Sequence, residues 1–210
     1  MESKKNYFNE TSYASKKTLE SFYRKIKLIK SNVDSIERLV IEIKEQEIEE
    51  VKLEEKKDLL CSLFANHCDM IYASMEYIGY IIYIYQRRTK MATGNLGITQ
   101  ASFYKIIKNY HNEKERVKYI IYKHSEFSKI INDIGMWYYH IRSIRTKETH
   151  YNTGEIEIKN NSIFYVNNVN YGSENKEVEF DLSHIRGYFN KFMTDTKKLL
   201  DMINGYKIVV

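Results

Sequence analysis

The order of apolar and polar positions describes a mainly helical chain. Across positions 12–56, Leu19, Phe22, Ile26, Ile29, Val33, Ile36, Val40 and Ile43 step by three and four through an otherwise charged segment. So narrow a stripe predicts one long N-terminal helix that buries its seam against one partner, either the rest of the chain or the same helix in a second copy. The seam stops at Glu47, and the acidic run after it reads as a solvated helix end or connection. Across 58–86 the apolar residues thicken to include Leu60, Phe64, His67, Ile71, Met75, Ile78 and Ile82, the pattern of a buried bundle helix. Arg87, Arg88 and Lys90 close it, where the helix dipole favours cations and where phosphate contact is the other reading. After the Gly-containing loop 93–97, Thr99 is placed to cap a short helix carrying Phe103, Ile106, Ile107 and Tyr110.

Another long helix is expected from about Glu113, with Val117, Ile120, His124, Phe127, Ile131, Ile134, Tyr138, Ile141 and Arg145 on its inward stripe. An arginine in that slot requires an ion pair, hydrogen bonds or a water-filled cleft. Arg145 and His150 lie about 140° apart on a continuous helix at roughly 100° per residue, so their cooperation requires the helix to end between them. Asn152-Thr153-Gly154 supplies turn chemistry, with Gly154 available for a left-handed cap. Alternation at 155–158 and 163–166 around Asn160-Asn161 then predicts a small hairpin, and 177–180 a third short strand. Asp181 or Ser183 caps a final helix that Gly205 ends. The expected fold class is mainly α: a helical bundle with a long N-terminal helix and a small β hairpin inserted before the last helix. One domain is expected over 1–210, with 1–57 as a helical extension and 58–205 as the bundle core, its hairpin at about 155–180.

Composition agrees with this pattern and narrows the function. The 210 residues hold no proline, so nothing forces a helix to break, and 43% are hydrophobic, enough for a sizeable core. A net charge of +5 permits nucleic-acid binding without demanding it. No signal-peptide core and no run of about 18 apolar residues occurs, so the expectation is a cytoplasmic protein with no membrane partner. Cys61 and Cys68 stand about 10 Å apart on a helix, beyond the roughly 7 Å limit for a disulfide, and read as reduced thiols. Walker, dinucleotide, nucleophile-elbow and zinc motifs are absent from the sequence, so no cofactor and no metal are expected; Cys61, His67, Cys68 and Asp69 point too many ways to share an ion.

What remains is the basic end of the fourth helix: Arg142, Arg145, Lys147, His150 and Tyr151. The run Arg145-Thr-Lys-Glu-Thr-His150, preceded by Tyr-His-Ile-Arg-Ser-Ile and followed by a turn, resembles the Arg-x4-6-His motif of the HEPN superfamily, over about residues 58–204. Many HEPN proteins are small helical bundles that act as metal-independent endoribonucleases in toxin–antitoxin, abortive-infection (antiviral defence) and CRISPR-associated systems, with two subunits joining their motifs in one cleft. The resemblance implies that Arg145 holds the scissile phosphate and His150 transfers protons. The expected substrate is RNA, with Arg142, Lys147, Tyr151, Arg87 and Arg88 as its contacts; a homodimer is expected, with an antitoxin as a further candidate partner. Thr146 departs from the Asn, Asp or His common after the motif arginine. For these residue types the chemistry is sound: imidazole can accept and return the proton of a 2′-hydroxyl attack, and a guanidinium can neutralise the phosphorane charge. The alternative is a non-catalytic RNA-binding or protein-interaction bundle, in which His150 caps the helix and Arg145 pairs with Glu148 or Glu155.

Overall fold

The N-terminal seam folds as α1 (Glu2–Glu45), and the thickened apolar segment as α2 (Glu50–Thr93). The short α3 (Phe103–His111), the long α4 (Ser125–His150) and the final α5 (Ile185–Gly205) follow, with strands β1 (Glu155–Lys159), β2 (Ser162–Asn167) and β3 (Val178–Asp181) between α4 and α5. This computed structural model describes residues 2–45, 49–93, 102–112, 125–150, 154–167 and 178–205, with side chains for all of these but 2–15, 85–93, 149–150 and 203–205. The class is the mainly α one that the sequence pattern predicts, with the small antiparallel sheet before the last helix.

Two local boundaries differ from expectation, and a third lies outside the described residues. α1 stops at Glu45, close to Glu47 where the seam ends, but α2 already starts at Glu50, ahead of the apolar thickening expected to open it at 58. Charged residues 50–57 thus belong to the start of α2, where Lys56 pairs with Glu42 of α1 at 2.8 Å. The residue before α3 is Ser102, with no side-chain cap bond, while the proposed cap Thr99 lies outside the described residues. The expected start of α4 near 113, with Val117, Ile120 and His124, also lies outside them.

The chain divides into two compact units, each taking a share of the long helices. The first comprises 1–26, 73–136 and 194–210. It buries Phe22, Met75, Ile78, Ile82, then Phe103, Ile106 and Ile107 of α3, and Phe127, Ile131, Ile134, Leu199 and Leu200.

The second unit, 27–72 and 137–193, holds the sheet and the motif. Ile29, Val33, Ile36, Val40 and Ile43 of α1 are all buried within it. From Ile29 to Ile43 the seam is thus covered by the chain itself, and this part of α1 belongs to the unit's core. Arg186 at the start of α5 is bonded to both Glu37 and Asp34 of α1, its Nε donating to Glu37 at 2.9 Å. Lys44 donates to Ser183 Oγ at 2.9 Å.

The sheet order is β1-β2-β3, antiparallel throughout. Lys159 pairs with Ser162, leaving Asn160 and Asn161 as a two-residue turn at φ 49° and 61°. Positive φ at both central positions is the type I′ geometry that matches strand twist, and asparagine tolerates it better than most residues. Phe64 of α2 packs on Tyr165 of β2 and Phe180 of β3, with ring centroids 4.9 and 4.8 Å away. Phe180 meets His140 of α4 at 5.6 Å and Tyr188 of α5 at 4.4 Å, so one aromatic cluster ties the sheet to three helices. Asp181 accepts from Ser183 N at 2.8 Å and caps the 3-10 turn Leu182–His184 that leads into α5, as expected.

Candidate functional site

The basic end of α4 belongs to the second unit, and its neighbours answer how an arginine occupies an inward slot. Arg145 Nε donates to Asp69 Oδ1 of α2 at 3.1 Å. Its guanidinium carbon lies 4.9 Å from the centre of the Tyr72 ring, one turn along from Asp69. Tyr72 is in turn stacked on the buried Tyr138, with ring centroids 6.0 Å apart and planes 14° from parallel. The layers run Arg145, Tyr72, Tyr138. The Arg145 side chain keeps 32% of its surface exposed, so it is held at one edge by a carboxylate and on one face by a ring while still meeting solvent. The partner is therefore neither Glu148 nor Glu155.

Helix α4 runs without a break from Arg145 through His150. The expected helix end between them is absent, because the backbone continues its ladder through Lys147 and Glu148, whose side chains both reach the sheet. Within one copy, the backbone positions of Arg145 and His150 accordingly stand about 140° apart around the helix axis. The side chain of His150, like all of Tyr151, lies outside the described residues, as do the side chains of Arg87 and Arg88 near the end of α2. Arg142, one turn before Arg145, is half-buried.

Lys147, expected among the substrate contacts, is buried, and its ammonium donates to the Asn167 carbonyl at 3.0 Å. It follows Ile144 by one turn on the inward side of α4, a spacing that the sequence already contained. Next to it, Glu148 Oε1 accepts from Gly154 N at 2.7 Å and from the Tyr165 hydroxyl. Asn167 Nδ2 donates back to that hydroxyl at 3.1 Å. Burial, and after it the bond to Glu148, raise the Tyr165 hydroxyl far above its ordinary range, so it stays a donor at every accessible pH.

Gly154 is required here for space rather than for a left-handed cap: a Cβ on it would sit 2.4 Å from the Tyr165 ring, and its φ is outside the left-handed region. Its carbonyl accepts from Cys61 Sγ at 3.0 Å. Burial, then the negative charges of Glu148, Asp58 and Glu155, push the Cys61 thiol up to about 12, which keeps it a protonated donor and a poor nucleophile. The opening beside Cys61 and Gly154, a cavity of about 380 Å³, is walled by Glu54, Asp58 and Glu155 against the single ammonium of Lys57. That balance disfavours a polyanion at this opening.

His67 is packed inside the second unit at 1% exposure, near-parallel to the Phe64 ring, with no partner for its Nδ1 among the described residues. Burial lowers its pKa to about 4. His67 and Cys68 are both buried while Asp69 faces solvent, which separates them as the spacing predicts. No helix among the described residues is long and apolar enough to cross a membrane. No family model, curated protein or solved structure matches this chain.

Asp69 and Tyr72 are the residues that sequence reasoning missed as partners of Arg145. Their three-residue spacing puts them on one face of α2, but only the packing of α2 beside α4, which joins Asp69 to Arg145 across a sequence separation of 76, brings that face to the arginine.

Proposed function

We propose that this chain is a metal-independent endoribonuclease of a defence or toxin-type system, cleaving single-stranded RNA at a cleft formed by two copies. The observation that carries the reading is the Arg145 guanidinium, fixed by Asp69 and Tyr72 and still partly exposed. A guanidinium held in that way loses little freedom when it binds a phosphate and is poised for charge that develops on the phosphorane. His150, the last residue of the same helix, supplies the imidazole: it takes the 2′-hydroxyl proton and returns a proton to the 5′-oxygen leaving group. Arg142 adds charge one turn away. Because Arg145 and His150 diverge on one continuous helix, a cleft shared with a second copy is the arrangement that lets both types of group face one phosphate.

A second reading has its own observation. The ion pair of Arg145 with Asp69 and its ring contact already satisfy the arginine structurally, which favours a non-catalytic RNA- or protein-binding bundle. Incubation with single-stranded RNA in EDTA separates the two. Wild type cleaves while Arg145→Ala and His150→Ala do not; no cleavage by wild type, or equal cleavage by all three, overturns the nuclease reading.

A further inference from the structure

The two residues between the motif arginine and histidine that turn inward, Lys147 and Glu148, both reach β2. Lys147 donates to the Asn167 carbonyl, Asn167 donates its side-chain amide to the Tyr165 hydroxyl, and Tyr165 donates to Glu148. A closed ring of four residues thus locks the last turn of α4 to one strand. Glu148 then reaches forward to the Gly154 N–H, so the same carboxylate oxygen holds the end of the helix and the start of β1. His150 lies between these two anchor points, two residues after one and four before the other. Gly154 fits only because it lacks a Cβ, which lets the Tyr165 ring close over it.

We propose that Glu148 is the positioning residue of the site: through Tyr165 and Gly154 it fixes the final turn of α4, and with it the direction in which His150 leaves the helix. The role rests on the nuclease reading, but the clasp is testable without it. Glu148 touches no substrate; it acts through the backbone that carries His150. Its function depends on accepting two hydrogen bonds, not on its charge, so a glutamine can replace it.

The test compares wild type with Glu148→Ala, Glu148→Gln and Tyr165→Phe, by hydrogen exchange at the Gly154 amide and by RNA cleavage kinetics. Glu148→Ala is expected to speed exchange at Gly154 by at least about tenfold. It should also lower kcat about tenfold or more with KM within about twofold, the pattern of a misplaced catalytic group. Glu148→Gln restores both, and Tyr165→Phe, which removes only one hydroxyl, shifts both in the same direction. Unchanged exchange at Gly154 in both Glu148→Ala and Tyr165→Phe overturns the proposal, as does a Glu148→Gln protein as impaired as Glu148→Ala. If wild type cleaves no RNA, the nuclease reading falls, while the exchange measurement still decides the clasp.

Discussion

Acidification should weaken this fold through one buried imidazole. His67 is enclosed by the second unit, its Nδ1 has no partner among the described residues, and burial lowers its pKa from 6.5 to about 4. The unfolded chain binds a proton at this site near pH 6.5 and the folded chain only near 4, so the unfolded state gains protons first as pH falls and stability drops. The loss starts near pH 6.5 and is complete below about 4. At 1.36 kcal/mol per pH unit, it amounts to about 2 kcal/mol at pH 5 and about 3 kcal/mol at its limit. Urea unfolding of wild type and His67→Leu between pH 7.5 and 4.5 reads this directly. Leucine removes the titration and the unpaired nitrogen together, so the two proteins should be of similar stability at pH 7.5 and diverge by about 2 kcal/mol at pH 5, the variant being the more stable. Burial also lowers the pKa of His140, against a hydrogen bond with the Glu179 backbone, but that group is common to both proteins and cancels in the difference. Parallel pH dependences would refute the reasoning. The result also bears on the site, because an acid limb caused by unfolding would otherwise be taken for titration of a catalytic histidine.

Two further outcomes follow from the geometry. Gly154→Ala drives a methyl to 2.4 Å from the Tyr165 ring and should cost about 1–3 kcal/mol in urea unfolding, whereas a change under about 0.5 kcal/mol would mean that the clasp yields freely. Arg186→Ala, despite its bonds to Asp34 and Glu37, should cost less than about 1 kcal/mol, falling with added salt, since the side chain is 36% exposed; a loss of several kcal/mol would show that the α1–α5 contact depends on this pair.

The helices and strands were legible where local pattern decides them. The stripe from Phe22 to Ile43 is buried as its spacing requires, and Asn160-Asn161 forms the turn because positive φ is a local demand that asparagine meets. The end of the seam at Glu47 marked where α1 stops, but the start of α2 at Glu50 left no such mark, since its first two turns are charged and carry no apolar stripe. The site was legible as an oddity and not as a structure. Arg145 stood out as a charge on an apolar stripe, but its partners Asp69 and Tyr72 belong to another helix and no local spacing points to them. Lys147 reads from the sequence as a substrate contact and Glu148 as a partner for Arg145, whereas β2 folds back to bind both. Gly154 was legible as a special position for the wrong reason, since close approach of a ring and a left-handed turn both select glycine.

The most direct test of the nuclease account is the chemistry of the cut. Single-stranded RNA incubated with the protein in EDTA is compared with the same RNA carrying 2′-deoxy substitutions at the cleaved positions, and the new ends are identified by mass. Attack by the 2′-hydroxyl with Arg145 and His150 in place predicts 2′,3′-cyclic phosphate ends from the ribose substrate and no cleavage of the deoxy one. Cleavage that persists in the deoxy substrate, or products ending in a 3′-hydroxyl, would contradict it.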